Sequence, residues 1–190
     1  MGMRFLYLVR HGHYHMEKDS AKYGKLTALG RRQAKRVGKR LASVDLDVIH
    51  HSDMLRAVET AEIIADELPV EIPTRSSKLL REGVPTLPVP WLPHFTRAEA
   101  RQDRARMDAA YDRYFKSPRS GQRHELLVAH ANIIRYLVRR AMKDPVGKWG
   151  YMNLTQGGLT VLAVGPTSYR AMLMSFNDVG HLPPQMRTFL

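Results

Sequence analysis

The sequence predicts an α/β protein, a three-layer α/β/α arrangement with a mostly parallel central sheet. Three observations predict it. Phe5-Leu6-Tyr7-Leu8-Val9 is an unbroken apolar run that stops at Arg10-His11-Gly12. Short continuous runs of this kind mark central strands buried on both faces. Asp47-Val48-Ile49-His50-His51 and Glu125-Leu126-Leu127-Val128-Ala129 are two more such segments, each followed closely by a helical pattern. Finally, strands that alternate with helices build parallel sheets, because a parallel connection needs a crossover long enough to hold a helix.

The elements follow in order. The first strand ends in a sharp turn that Gly12 permits. Residues 13 to 25 are polar. Thr27 is placed as a helix N-cap, and Leu29, Ala34, Val37 and Leu41 recur at helical spacing to about residue 42. After the second strand come Ser52, Asp53 and a helix with Ala57, Val58, Ala61, Ile64, Ala65 and Leu68 on one side. Arg56 and Glu59 fall in its first two turns, and Pro69 ends it. Residues 70–74 read as a third strand. Leu79-Leu80-Arg81-Glu82-Gly83 sets a carboxylate between apolar residues and a glycine. Residues 84–95 hold Pro85, Pro88, Pro90 and Pro93 with Trp91 and Phe95, which excludes regular structure. A rim or lid over a site is one reading of that loop, and a surface crossing is the other.

Residues 96–116 form a long charged helix, apolar at Ala100, Met107, Ala110, Tyr111, Tyr114 and Phe115. After a turn at 117–121 comes the strand that ends at His130. It opens a helix with Ile134, Leu137, Val138 and Ala141 toward the core. Residues 159–164 and 169–176 read as a hairpin joined by a Gly-Pro turn. There is no internal repeat, so residues 1–190 read as one domain, with 83–116 as a loop–helix insertion over the site.

Thirty Lys and Arg against 18 Asp and Glu leave a net charge of +12. The excess favours anionic partners: phosphorylated molecules, nucleic acid or membrane surfaces. Pairs such as Arg31-Arg32, Lys35-Arg36 and Lys39-Arg40 fall on helix faces, where charge is solvated. With no nucleic-acid-binding motif beside them, nucleic acid is disfavoured as a partner. No apolar run approaches the roughly 18–20 residues that cross a bilayer, so no membrane partner is expected. The absence of cysteine excludes disulfides, thiolate metal sites and a cysteine nucleophile. The first strand begins almost at once and leaves no room for a signal peptide, so the cytoplasm is the expected location. His11, His13 and His15 alternate, with no acidic residue at ligand spacing except Glu17; no metal or other cofactor is expected.

Three strand-to-helix junctions carry polar residues: Arg10-His11, Ser52 with Arg56, and His130. In one parallel sheet all three lie along the edge where α/β proteins bind ligands. Two arginines, two histidines and a helix N-terminus then converge. Arginine forks match phosphate oxygens, and helix N-termini add N–H donors. The physical reading is a phosphoryl pocket, with His13 lining it. Each residue alone has an ordinary reading: a hydrogen-bonded structural histidine, a surface arginine, or, for Glu82, a loop carboxylate. The joint placement carries the argument.

At these residues the chain also resembles a known family. Leu8-Val9-Arg10-His11-Gly12 matches an Arg-His-Gly signature. Leu26-Thr27-Ala28-Leu29-Gly30-Arg31-Arg32-Gln33-Ala34 is similar to a first-helix pattern. Ser52 through Arg56-Ala57-Val58-Glu59-Thr60-Ala61 is similar to a Ser-x-x-x-Arg-Ala-x-Glu-Thr box, and Val128-Ala129-His130-Ala131 to a second-histidine strand. Four motifs in this order, collinear over nearly the whole chain, resemble the histidine phosphatase superfamily, whose fold is phosphoglycerate mutase-like. Leu79-Leu80-Arg81-Glu82-Gly83, His130-Ala131-Asn132-Ile133-Ile134-Arg135-Tyr136 and Asn177-Asp178-Val179-Gly180-His181-Leu182-Pro183-Pro184 resemble its mitochondrial Ser/Thr protein phosphatase branch.

The resemblance implies a metal-independent phosphatase that hydrolyses phosphomonoesters through a phosphohistidine. His11 is the implied nucleophile. Arg10, Arg56 and His130 are the implied stabilisers of the phosphoryl oxygens. Glu82 is the implied acid for the leaving alkoxide and then the base for water. His13 and Asn132 are implied as secondary phosphate contacts. The chemistry agrees at one point: His11 must be neutral to attack, and flanking arginines disfavour a further positive charge. The implied partner is a phosphorylated small molecule or a phosphoprotein, and a homodimer stays open. Phosphoglycerate mutase and phosphohistidine phosphatase are alternative activities. A non-catalytic phospholigand- or nucleic-acid-binding protein is the alternative from another class, against which the retention of all five key residues argues.

Overall fold

Ten regular elements organise the computed structural model, which describes residues 2–16, 24–87, 95–144, 146–166 and 171–189. In chain order they are β1 (Met3–Arg10), α1 (Ala28–Leu41), β2 (Val48–His51), α2 (Leu55–Asp66), β3 (Thr74–Ser76), α3 (Arg97–Tyr114), β4 (Gln122–Ala129), α4 (Ala131–Ala141), β5 (Leu159–Val164) and β6 (Met172–Asp178). Pro88, Pro90, Trp91 and Pro93 of the proline-rich loop lie outside the described residues, as do Glu17 and part of the turn before β6.

The strands form one sheet in the order β3-β2-β4-β1-β5-β6. The pairs β1–β4, β4–β2 and β2–β3 are parallel, while β5 and β6 add antiparallel at the far side. This is the expected three-layer, mostly parallel architecture. Alternation along β4 shows how one strand serves two cores. Leu126 and Val128 face α1 and α2, packing with Val37, Leu41, Ala57, Ala61 and Ile64. Leu127 and Ala129 face the other way, toward Met107 and Ala110 of α3 and Ile134, Leu137 and Val138 of α4. Because side chains alternate with period two, a continuous apolar run is required wherever helices cover both faces.

Three elements differ from expectation, the last being β6, which spans Met172–Asp178 rather than 169–176. Phe5 and Tyr7 of β1 are only half-buried. They pair with His124 of β4, Phe5 by ring stacking at 4.8 Å and Tyr7 by a hydroxyl contact to Nδ1 at 3.0 Å. The third strand occupies Thr74–Ser76 rather than 70–74. Proline cannot donate to a ladder. Pro73 therefore contributes only its carbonyl, which accepts from Ile49 N–H at 2.9 Å, and regular pairing starts after it. Val70 is left 63% exposed.

α1 starts where its sequence predicts, with Thr27 Oγ1 accepting from Gly30 N–H at 3.1 Å. It also carries a buried polar residue, Gln33. Its Oε1 accepts from the His13 N–H at 2.7 Å, and its Nε2 donates to the Met186 carbonyl at 2.6 Å and Thr188 Oγ1 at 2.9 Å. One amide thus joins the loop after β1 to the closing turn at 184–188. Among the described residues no helix is long and apolar enough to cross a membrane.

Candidate active site

β1, β2 and β4 run parallel, with Arg10 in register with Ala129 and His51 with Val128. The residues that follow these ends therefore emerge side by side. Ser52 N–H donates to the Val128 carbonyl at 3.0 Å, and Ser52 Oγ accepts from Met54 N–H at 3.3 Å, which turns the chain into α2. The loop after β1 crosses α1 closely. A Cβ on Gly12 would lie 2.5 Å from the Gly30 carbonyl oxygen, and one on Gly30 would strike the His13 carbonyl oxygen. Two glycines at this crossing let His11 sit over the sheet edge.

The protonation of His11 is dictated by its neighbours. Nδ1 faces the Gly12 carbonyl at 2.8 Å, which can only accept, so Nδ1 carries the hydrogen. Nε2 faces Arg56 Nε at 3.0 Å, which can only donate, so Nε2 carries the lone pair. His11 is 3% exposed. Burial first, then the charges of Arg10 and Arg56, hold its pKa well below the ordinary histidine value. It is a neutral imidazole with its basic nitrogen directed at a guanidinium.

Arg10 and Arg56 are both buried. Arg10 donates to the Leu154 carbonyl, and burial lowers its pKa to about 10, which leaves it cationic at neutral pH. Arg56 lies over the Tyr14 ring at 4.6 Å, a cation–π contact that helps hold a desolvated charge. Thr60 fixes the same corner: its hydroxyl donates to the Arg56 carbonyl at 2.6 Å and accepts from Gly12 N–H at 3.1 Å.

His130 is fully buried at the N-cap of α4, its ring centroid 5.0 Å from that of His11. Neither of its ring nitrogens has a hydrogen-bond partner among the described residues. Burial, then His11, Arg56 and Arg10, hold its pKa well below the ordinary value. Buried polar atoms without partners cost stability, and they recur where a ligand is bound.

Glu82 closes the site from the loop after β3. Its Oε1 accepts from the N–H groups of Asn132 at 3.1 Å and Gly83 at 3.2 Å. Burial pushes its carboxyl above the usual range, while those two N–H groups, Arg10 and Arg56 pull the other way. The net result is a carboxyl that keeps its proton to higher pH than a solvated one. A neutral imidazole, fixed cations and a carboxyl that holds its proton more tightly than in water are groups of the kind that phosphoryl transfer uses.

His11, Arg10, Arg56, Glu82 and His130 are therefore brought together. Asn132 stands with them, yet its side chain is engaged: Nδ2 donates to the Gly83 carbonyl at 3.0 Å and Oδ1 accepts from Arg135 at 2.9 Å. It holds the Glu82 loop. His13 lies on the β1 loop with Nδ1 paired to Thr27 Oγ1 at 2.9 Å. Glu59 of the Arg56 helix accepts from Leu26 N–H at 2.6 Å and anchors the entry to α1.

Sequence reasoning missed Tyr14 and Arg135, and gave Thr60 no role. Tyr14 meets the His11 ring edge-on at 5.1 Å. Arg135 donates to the Met152 carbonyl, and its pKa, lowered by burial, is raised again by Glu82. Thr60 had a signal, its place in the Arg-x-x-x-Thr spacing. The other two depend on the path of a loop and on which face of α4 meets the site.

Comparison with known proteins places the fold and the family. A model of the histidine phosphatase superfamily (branch 1) matches residues 6–84 and 89–178. The mouse mitochondrial serine/threonine-protein phosphatase PGAM5 is 40% identical over 97% of this chain, and the Caenorhabditis elegans mitochondrial serine/threonine-protein phosphatase Pgam5 is 38% identical over 98%. The chain spans 66% of the length of each. Among solved structures, phosphoglycerate mutase from Plasmodium falciparum is similar with a TM-score of 0.67 and 29% identity over 96% of both chains. Bacillus stearothermophilus YhfR shares the fold, with a TM-score of 0.72 and 24% identity over 94% of this chain and 98% of its own. The expected cytoplasmic location is corrected here: the matched phosphatases are mitochondrial by name. The expectation rested on the place of the first strand in the sequence, which does not encode a compartment. On family model, relatives and fold together, the chain belongs to the histidine phosphatase superfamily.

Proposed function

We propose that the protein hydrolyses phosphomonoesters through a phosphohistidine on His11, and that phosphoserine and phosphothreonine of proteins are the substrate class. The neutral Nε2 of His11 beside Arg56, with the unpartnered His130 ring 5.0 Å away, is the observation that carries this reading. Arg56 exchanges its contact with Nε2 for a phosphoryl oxygen when the ester enters. Nε2 then bonds to phosphorus as the ester P–O bond breaks. The Glu82 proton passes to the leaving alkoxide. Arg10, Arg56 and the His130 ring hold the equatorial oxygens, so that the side chains supply the positive charge. In the second half, Glu82 takes a proton from water, water oxygen bonds to phosphorus, and the Nε2–P bond breaks. The sum is ester plus water to alcohol plus phosphate.

The protein-substrate reading is supported by the 40% identity to a serine/threonine-protein phosphatase. In it, residues 1–190 act as one catalytic unit and 83–116 stand as an insertion beside the site. A second reading, mutase activity on phosphoglycerate, is favoured by the likeness to phosphoglycerate mutase, and a coupled mutase assay separates the two. His11→Ala is expected to abolish hydrolysis of a phosphoserine peptide. Rapid quenching of the native enzyme with labelled peptide should leave acid-labile phosphate on His11. Undiminished turnover by His11→Ala overturns the assignment.

A further inference from the structure

α3 contributes no group to the chemistry above, yet two of its side chains reach the backbone of the loop that carries Glu82. Arg106 donates through Nη1 to the Leu79 carbonyl at 3.2 Å and the Arg81 carbonyl at 2.6 Å, and through Nη2 to the Glu82 carbonyl at 3.0 Å. Asp103, one turn earlier, accepts from Arg106 Nη2 at 2.8 Å and from Val84 N–H at 2.8 Å. The two side chains are 18% and 21% exposed, so they work largely out of solvent. Gly83 makes the approach feasible: a Cβ there would fall on the Asp103 carboxyl and lie 2.5 Å from Arg106 Nη2.

Residues 81–84 belong to no helix or strand, so their backbone groups have no ladder to fix them. An isolated i,i+3 ion pair contributes little. This one instead occupies two carbonyls and one N–H of that loop, groups that would otherwise need water, and the Leu79 carbonyl of the 3₁₀ turn Lys78–Leu80 just before it. The loop is thereby held from two directions. α4 takes the carboxyl end of Glu82 through the Asn132 N–H, and α3 takes its main chain.

We propose that Arg106 and Asp103 are positioning residues for proton delivery: they set the distance between the Glu82 carboxyl and the leaving-group oxygen. The proposal rests on the role given to Glu82 above. It has a signature that mere support of the fold lacks. As Nε2 bonds to phosphorus and the P–O bond breaks, a serine or threonine alkoxide needs the Glu82 proton. A nitrophenolate is stable without it. Displacing the acid therefore slows alkyl esters selectively.

The test compares kcat/KM, which reports the steps through phosphoryl transfer, for a phosphoserine peptide and p-nitrophenyl phosphate. Glu82→Gln is the reference, and Arg106→Ala, Arg106→Lys and Asp103→Ala are the probes, each checked for a native thermal transition. A displacement of about 1 Å costs on the order of 10²-fold. Arg106→Ala is therefore expected to lose about that factor on the peptide and far less on the aryl ester. Asp103→Ala should do the same to a smaller degree. Arg106→Lys, which keeps the charge but not the fork, should fall between, and it decides the matter if Arg106→Ala does not fold. If Glu82→Gln is selective for the alkyl ester and the Arg106 variants lose both substrates equally, or neither, the positioning role is overturned while the phosphatase reading stands. If Glu82→Gln itself shows no selectivity, the acid role fails and this proposal with it.

Discussion

Gly12 and Arg56 decide between them which nitrogen of His11 holds the hydrogen, and burial with two cations decides that there is only one. Glu82 shows the opposite displacement, a carboxyl kept protonated above its usual range chiefly by burial. That displacement costs stability. In the unfolded chain Glu82 ionises freely at neutral pH, whereas the folded site resists the charge, so folding is less favoured there than in acid. Glu82→Gln removes the resisted ionisation. It should raise Tm at pH 7, as measured by calorimetry, and the gain should shrink toward zero below the ordinary carboxylate pKa, where both states are protonated. A gain that persists unchanged in acid would refute this account. Arg10, His11, Arg56 and His130 were grouped from the sequence because each follows a strand end or sits in a spaced motif, whereas Glu82, on a loop, was added only by the family resemblance. Tyr14 was missed, since a polar loop gives no periodicity from which to place a ring.

Among the elements, α3 was read as a long helix in an insertion over the site, but none of its side chains was given a place beside Glu82. Its Arg106 and Asp103 sit among other charged residues of 97–114, and such a pattern reads as a solvated face. Only packing of Met107, Ala110 and Tyr114 against the sheet fixes which arginine turns inward. The start of α3 is local and was legible. Thr96 and Glu99 form a reciprocal capping box, with Thr96 Oγ1 accepting from Glu99 N–H at 3.2 Å and Glu99 Oε2 accepting from Thr96 N–H at 2.8 Å. Thr96→Ala should cost about 1 kcal/mol in urea unfolding and leave aryl phosphate turnover unchanged. β3 was displaced from its expected place by Pro73, whose missing N–H mattered more than the apolar content of 70–74.

Across the whole molecule, the parallel arrangement of β1, β2 and β4 does the work of assembly, because strands distant in sequence deliver their last residues to one edge. Two cores, one on each sheet face, make that edge rigid. Order and direction of strands follow from the alternation of apolar runs and helices, which is why the fold was readable. The path of the C-terminal residues was not, for it hangs on two buried amide residues: Gln33 Nε2 donates to the Met186 carbonyl and Thr188 Oγ1, while Gln156 accepts from Thr188 Oγ1 at 2.6 Å and donates its N–H to the Thr188 carbonyl at 3.1 Å. Those contacts set the sequence of events on warming. The turn at 184–188 belongs to neither core, so it should let go first and deprive the His13 main chain of its support while the strands persist. Turnover is then expected to fade at a lower temperature than far-ultraviolet ellipticity, and Gln33→Ala should widen the interval. Coincident midpoints in both proteins would mean that the closing turn melts only with the sheet.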